Sequence, residues 1–197
     1  MGRLVISTVV ALALCVSAAS ARDMKDEIEF SLAGSIEAHV MQGETIHLLN
    51  VPLRAGYFVH DWVELEAEGI FSVIDEKLLR TDPNVKAESD FAVTLSGLVS
   101  VSVPTETDWL PFVTAGYGVS NAHSQLNVQM DAFENVTLGV LNFGGGVKHF
   151  FGDNAALRVD YRFQKFVGGP DKNDAKYEKK FDCSAHSLFF GVSLLPF

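Results

Sequence analysis

The stretch Glu27-Ile-Glu-Phe-Ser-Leu-Ala-Gly-Ser-Ile-Glu-Ala-His-Val40 alternates between two sets of residues over fourteen positions. One set is apolar or glycine, and the other is mostly acidic, hydroxylic or small. Successive side chains of a β-strand point to opposite faces, whereas a helix would mix the two sets within one turn. The stretch therefore predicts a single strand, longer than the ~5–6 residues usual in soluble sheets and long enough, at more than ~9–11 residues, to cross a bilayer.

The same alternation recurs seven more times along the chain. The predicted strands cover residues 27–40, 49–59, 63–73, 91–103, 109–119, 141–148, 157–164 and 186–197. Eight strands with one apolar face each predict an all-β chain, folded as an eight-stranded antiparallel up-and-down transmembrane β-barrel.

The connections between these strands alternate in length. Tight turns are predicted at residues 60–62, 104–108 and 152–154, and long polar segments at about 74–90, 120–136 and 166–185. A barrel inserted in one direction has short periplasmic turns and long outer loops. The pattern thus predicts periplasmic termini, with the short connection at 41–45 as an exception among the outer loops.

A soluble barrel such as a lipocalin would show the same alternation, with its apolar face turned inward around a ligand. The polar face here is rich in Gly, Ser and Ala, which suits a cramped interior better than a solvated surface. Aromatic residues also lie near predicted strand ends, as in the interfacial girdles of membrane barrels. They are Tyr57, Phe58, Trp62, Phe71, Trp109, Phe112, Tyr117, Phe150 and Phe151. Both features favour the membrane barrel.

The N-terminal segment has the pattern of a secretory signal peptide. Arg3 provides a short positive region, residues 4–16 an apolar core, and Ala19-Ser20-Ala21 a cleavage site. The apolar core is shorter than the ~20 residues of a membrane-spanning helix. We expect residues 1–21 to be removed and residues 22–197 to form one barrel domain, which reaches the outer membrane of a Gram-negative cell through the periplasm.

Composition argues against several classes of function. The formal charge of −10 becomes −11 without residues 1–21, because that segment contains Arg3 and no acid. Such an acidic chain is a poor partner for nucleic acid. Cys183 is the single cysteine after residue 21, and the six histidines lack metal-ligand spacing. We therefore expect no internal disulfide, no metal and no cofactor.

Three segments, residues 56–69, 109–118 and 157–162, carry a family resemblance. The second has a Pro-aromatic step before Ala-Gly-Tyr-Gly, and the third contains Arg-Val-Asp-Tyr-Arg. In order and spacing they resemble the hairpins of the OmpA-like outer-membrane β-barrel domain family. The resemblance covers nearly all of the chain after residue 21 and implies a small eight-stranded outer-membrane barrel. We do not expect the peptidoglycan-binding domain of longer relatives.

The family resemblance also implies a C-terminal signal that the barrel-assembly machinery recognises. The signal consists of apolar residues at alternate positions, counted back from the terminal Phe. Here that register contains Phe189, Leu195 and Phe197. The other register is more apolar, with Leu188, Phe190, Val192 and Leu194, and Pro196 is compatible with a bulge at which the strand changes register. The sequence leaves both registers open.

Charged residues on the polar faces would point into the barrel. They are Glu37, Arg54, Glu64, Glu66, Glu68, Lys148, Arg158, Asp160 and Arg162. Side chains just fill the interior of an eight-stranded barrel, and like charges repel there unless cations lie between them. We predict that Arg54, Arg158 and Arg162 pair with several of the glutamates. Such a network would close the lumen, or alternatively form a gated polar pore.

The sequence gives little support for a catalytic function. A serine nucleophile needs a base within hydrogen-bond reach, but His123-Ser124 and His186-Ser187 are adjacent pairs whose side chains point to opposite faces of a strand. Neither matches the His-x-Ser-Asn pattern of a lipid A deacylase family with eight-stranded barrels. Residues 171–180 form a charged run without a ligand motif, so the extracellular ligand stays unknown.

We therefore predict a non-enzymatic outer-membrane protein with a role in envelope integrity or surface interaction. It would contact outer-membrane lipids, including lipopolysaccharide. The alternatives are a small-solute, porin-like channel and, less favoured, a lipid A-modifying barrel enzyme.

Overall fold

The computed structural model of the chain describes residues 24–41, 44–74, 90–123, 136–168 and 183–196. They contain eight strands: β1 (Ile28–Met41), β2 (Glu44–His60), β3 (Val63–Ile74), β4 (Asp90–Ser102), β5 (Trp109–His123), β6 (Val136–Phe151), β7 (Ala155–Val167) and β8 (Cys183–Leu194). The predicted signal peptide and most of the predicted outer loops, including residues 171–180, lie outside the described residues. The described residues include no helix long and apolar enough to span a membrane.

Each strand pairs antiparallel with the next, and β1 pairs with β8, so the sheet closes into a barrel. Leu32 of β1 lies opposite Leu53 of β2 on one side and Val192 of β8 on the other. Closure pairs the backbone N–H and C=O groups of the edge strands, which could find no water in a bilayer core. The predicted eight-stranded antiparallel up-and-down barrel is confirmed.

Several strands are longer than predicted, most of all β2 and β6, while β5 and β7 also extend beyond their predicted bounds. β2 begins at Glu44 rather than at residue 49, and β6 covers Val136–Phe151 rather than 141–148. In the first part of β6 the alternation is inverted: Leu138 and Val140 point into the barrel, while Thr137 is exposed. This part of the strand escaped prediction because its apolar residues lie on the face that is polar in most other strands.

The three tight turns lie where the alternation placed them. Asp61 and Trp62 join β2 to β3, residues 103–108 join β4 to β5, and residues 152–154 join β6 to β7. Gly152 has a φ of 67°, a left-handed conformation that favours glycine at this turn. All three turns lie at the end of the barrel that also holds the beginning of β1 and the end of β8.

The apolar faces of the strands point outward. Phe30, Leu95 and Phe190 are each more than half exposed, whereas the polar residues between them are buried in the barrel. The soluble barrel with an apolar interior is thereby excluded.

The predicted aromatic girdle is only partly correct. Tyr57, Trp62, Phe71, Trp109, Tyr117 and Phe151 are exposed on the outside, but Phe58, Phe112 and Phe150 are buried in the lumen. These three residues alternate in step with the inward polar residues of their strands, so they point into the lumen. Closeness to a strand end does not show on which side of the wall a side chain lies.

The alternation of β8 continues without a change of register as far as Leu195. Leu188, Phe190, Val192 and Leu194 face outward, whereas Phe189 and Leu195 are fully buried in the lumen. No register switch therefore occurs within Cys183–Leu194. Phe197 lies outside the described residues, and the role of Phe189, Leu195 and Phe197 as an assembly signal stays a prediction.

Candidate functional site: the lumen of the barrel

A cluster of buried apolar residues, called the plug below, lies in the lumen at the end with the tight turns. It consists of the buried residues Met24, Phe58, Phe150, Ala156 and Leu195, with Leu110 packed against them. Burying these side chains removes apolar area from water, which stabilises the folded state by about 25 cal/mol per Å² of buried area. The plug was not predicted from the sequence, although the alternation of β2 and β6 places Phe58 and Phe150 at inward positions.

Hydrogen bonds to backbone groups hold both ends of the plug, at Met24 and Leu195, in place. The Met24 N–H donates to Asp61 Oδ1 at 3.2 Å, and the Asp26 N–H donates to the Phe58 carbonyl at 2.9 Å. At the other end, Asn154 and Leu195 exchange two hydrogen bonds: Leu195 N–H to Asn154 O at 2.8 Å and Asn154 Nδ2 to Leu195 O at 2.9 Å. The residues flanking β1 and β8 are thus folded across the mouth of the barrel.

A layer of buried charges lies directly next to the plug. Lys148 of β6 donates from Nζ to Glu29 Oε2 at 2.6 Å and to Glu64 Oε2 at 2.8 Å. The same ammonium group lies 5.1 Å from the ring centre of Phe58, a residue of the plug. One cation therefore joins β1, β3 and β6 and also contacts the apolar plug.

The next cation is Arg158 of β7. Its guanidinium donates to both carboxylate oxygens of Glu66, at 2.9 and 3.3 Å, and from Nε to Asp160 at 2.8 Å. It also lies 3.7 Å from Glu29, and its Cζ is 4.6 Å from the ring centre of Phe112. A bidentate, charge-assisted pair of this kind fixes the orientation of both side chains.

Arg54 of β2 and Arg162 of β7 complete the layer. Both donate to Glu68, and Arg54 also donates to Asp160 at 2.8 Å. Their guanidinium groups lie 4.8 and 4.9 Å from the ring centre of Phe189, which they share as an aromatic platform. Phe189 therefore occupies the interior as a packing partner of two arginines.

The structure brings together Arg54, Glu64, Glu66, Glu68, Lys148, Arg158, Asp160 and Arg162 in one charged layer. Glu29 is a ninth member that the predicted set lacks, although the alternation of β1 assigns it to the inward face. Glu37 lies eight residues beyond Glu29 on β1, toward the other end of the barrel, where it accepts a hydrogen bond from Asn50. The charged layer supplies five carboxylates and four cations, so ion pairs alone balance almost all of its charge.

Neutral polar groups and a second apolar cluster fill the lumen beyond the charged layer. Gln164 donates to Asn142 at 2.8 Å, and Thr94 donates to Ser120 at 2.9 Å. The apolar cluster consists of Leu138, Val140, Phe166, Cys183 and Ala185. Cys183 is buried in this cluster.

The histidine–serine pairs do not form a hydrolase site in the part of the chain that the structure describes. His186 is exposed on the outside of the wall, whereas Ser187 is fully buried in the lumen. Ser124 lies outside the described residues. Within the described ranges, no three His, Cys, Asp or Glu side chains are grouped so that they could hold a metal ion.

Comparison with known proteins gives the family. The model of the outer membrane protein beta-barrel domain matches residues 7–193. The chain belongs to this family. Family membership and fold together place the barrel in the outer membrane of a Gram-negative bacterium, with its apolar wall toward lipid. The route through the periplasm stays a prediction. No curated protein sequence matches the chain.

Several solved outer-membrane barrels share the fold. Neisserial surface protein A is 12% identical, with a TM-score of 0.59 over 85% of this chain and 96% of that one. The N-terminal β-barrel domain of Pseudomonas aeruginosa OprF is 17% identical, with a TM-score of 0.52 over 88% and 98%. The outer membrane enzyme PagL is 12% identical, with a TM-score of 0.52 over 82% and 97%. At these identities the likeness concerns the fold alone, which both enzymes and non-enzymes share.

Proposed function

We propose that this outer-membrane barrel is a non-enzymatic protein with a closed lumen, which contributes to envelope integrity or to interactions at the cell surface. The observation that supports this proposal is the occupation of the lumen by the plug and the charged layer in series. A barrel filled in this way offers function through its outer wall and its loops rather than through a pore.

The energetics of the charged layer favour a permanent closure. Breaking a buried ion pair by removing one partner costs about 3–5 kcal/mol, because the other charge stays buried without compensation. Opening a path through this layer would separate several such pairs at once. A transient fluctuation would therefore rarely expose a continuous route for ions.

Planar-bilayer recording tests the closed lumen. We expect the purified barrel to show no discrete conductance, and Arg158→Ala to remain silent because the plug is intact. The double variant Phe58→Ala/Arg158→Ala removes a side chain from each level and should conduct. Discrete channels in the unaltered protein would instead support the small-solute pore, for which the hydrogen-bonded polar groups around Asn142 and Gln164 would be the lining.

A lipid A-modifying activity is the remaining alternative, and PagL shows only that the fold is compatible with an enzyme. Mass spectrometry of lipid A from cells that express the protein, compared with cells carrying an empty vector, addresses it directly. We expect identical lipid A in both. Loss or gain of an acyl chain would overturn the non-enzymatic part of the proposal.

Assembly through β8 is a further part of the proposal. The outward residues Leu188, Phe190, Val192 and Leu194 would be presented to the barrel-assembly machinery before the wall closes. Phe190→Ser should then lower the amount of folded protein in outer membranes more than Phe143→Ser, a substitution at an equally exposed site on β6. Equal losses would argue against a special role of β8.

A further inference from the structure

A polar pair lies on the membrane-facing wall of β7 and β8. The hydroxyl of Tyr161 and Nδ1 of His186 form a hydrogen bond of 2.6 Å, and both side chains are exposed. The ring of Phe163 lies 5.2 Å from the imidazole. The neighbouring exterior residues of these strands are apolar: Leu157, Val159, Leu188, Phe190, Val192 and Leu194.

The depth of the pair in the membrane follows from strand geometry. His186 is eight residues from Leu194, which ends β8 near the tight turns. At ~3.3 Å per residue and a tilt of ~40°, it lies about 20 Å farther along the membrane normal. The apolar band of an outer-membrane barrel is about 25 Å tall. The pair therefore lies near the extracellular boundary of the band, where the headgroups of the outer leaflet begin.

A cationic residue continues the polar surface toward the headgroups. Lys165 of β7 lies opposite Ser184 of β8, one outward position beyond the Phe163–His186 pair. Tyr161, His186 and Lys165 thus follow one another along the same side of the wall. When the Tyr161 hydroxyl donates to Nδ1, the imidazole carries its proton on Nε2 and offers a hydrogen-bond donor on the side of the ring away from Tyr161.

We propose that Tyr161, His186 and Lys165 form a binding site for a phosphate group of an outer-leaflet glycolipid of the lipid A type. The imidazole and the ammonium group supply donors for phosphate oxygens, and Lys165 supplies opposite charge. The acyl chains of the same lipid would lie along Leu188 and Phe190 below the pair. The partner is a lipid because the site faces the bilayer at headgroup depth, on a wall that is apolar on its membrane side.

A histidine at the opposite boundary provides a matched control. His149 is near the tight turns, where it stacks on Trp109 with ring centres 4.2 Å apart and meets Phe151 edge-on at 4.8 Å. It therefore makes an aromatic contact at the periplasmic boundary, on the side away from the outer leaflet. The inference depends on the placement of the barrel in the membrane and not on the closed lumen, so a conducting barrel would leave it standing.

The test measures lipid retention by native mass spectrometry. The protein is isolated from outer membranes, delipidated in detergent and mixed with diphosphoryl lipid A or with the same lipid A after phosphatase treatment. We expect one diphosphoryl lipid A per barrel, and at least about tenfold weaker retention by Lys165→Gln/His186→Gln, since each lost charge-assisted hydrogen bond lowers affinity severalfold. His149→Gln should retain the lipid like the unaltered protein. A heat-dependent shift in electrophoretic mobility verifies that each variant is folded.

Four results would overturn the proposal. Equal retention of lipid A with and without its phosphates would show that only the acyl chains bind. Unchanged retention by the double variant, or an equal loss in His149→Gln, would place the lipid elsewhere. A dimer signal that the double variant abolishes, without an effect on lipid A, would assign the polar pair to a second copy of the chain.

Discussion

Arg158 of β7 and Glu66 of β3 are 92 residues apart and form a bidentate ion pair across the lumen, with N–O distances of 2.9 and 3.3 Å. Their strands are not neighbours in the sheet, so the pair connects opposite parts of the wall. Ser100 donates to the same carboxylate, and Asp160 accepts from the same guanidinium at 2.8 Å. The pair therefore acts as a cross-brace through the interior of the barrel.

The Arg158–Glu66 pair should behave as a coupled unit. Arg158→Leu leaves the buried Glu66 without its cation and should lower the free energy of unfolding by about 3–5 kcal/mol. Glu66→Leu should cost less, because Arg158 keeps its ion pair with Asp160. The double variant removes both charges and should lose less than the sum of the two, with a coupling energy of about 0.5–3 kcal/mol. Urea unfolding in lipid vesicles, followed by fluorescence of Trp62 and Trp109, measures all three; additive losses would mean that the pair has no net coupling.

Lys148 should be the cation on which two carboxylates depend. Lys148→Met leaves Glu29 and Glu64 together without their ammonium partner, and we expect destabilisation of about 3–5 kcal/mol. Adding Glu64→Gln to Lys148→Met should recover part of this loss, because it removes one of the two like charges. The same urea titration provides the measurement. A double variant less stable than Lys148→Met would show that the loss comes from packing against Phe58 rather than from charge.

Gly146 should be the glycine of β6 that least tolerates a side chain. A Cβ there would lie 2.2 Å from the Val159 carbonyl oxygen and 2.6 Å from Asp160 Cα, both backbone atoms of β7. Gly146→Ala should therefore lower stability by about 1–3 kcal/mol through overpacking. Gly97→Ala on β4 is the matched control, since no atom lies within 4 Å of the position that its methyl group would take. A control that is destabilised equally would point to a general effect of alanine in these strands.

Cys183 should be chemically protected as long as the barrel is folded. The thiol is buried with Val140 and Phe166, and a thiol without access to water and reagent reacts slowly. We expect labelling by a polar maleimide to be at least about tenfold slower in the native barrel than after boiling in detergent, because the reagent cannot reach the buried sulfur. Equal rates would show that the apolar cluster around Cys183 opens readily.

Much of the barrel follows from the alternation of side chains along each strand. The alternation in β1 predicts its outward Phe30 and Leu32 and its inward Ser31 and Ser35, and the same reasoning applies to the remaining strands. A prediction from this alternation is wrong where an apolar residue occupies an inward position. Local sequence marks Phe58, Phe150 and Leu195 as apolar residues of a girdle or a terminal signal, and it cannot show that they meet each other.

The partners of the charged residues are less accessible to sequence. The alternation along the strands places Arg54 and Glu68 on the inner face. Neither residue type nor spacing shows that Arg162 shares Glu68 with Arg54. Glu29 escaped the predicted set although it lies on the inward face, because its partner Lys148 is more than a hundred residues away. The polar pair on the outer wall escaped notice for a similar reason: Tyr161 and His186 are 25 residues apart and become neighbours only when β7 pairs with β8.

The sequence by itself determined, for most of the strands, which residues share a face of the wall, because the direction of a side chain along a strand depends on local backbone geometry and repeats every two residues. It also determined the number of strands and the places of the tight turns. Only the tertiary structure decided which charges meet, which apolar residues gather at the mouth and where Tyr161 contacts His186. These contacts join strands that are distant in the chain, and their register is set by closure of the whole barrel.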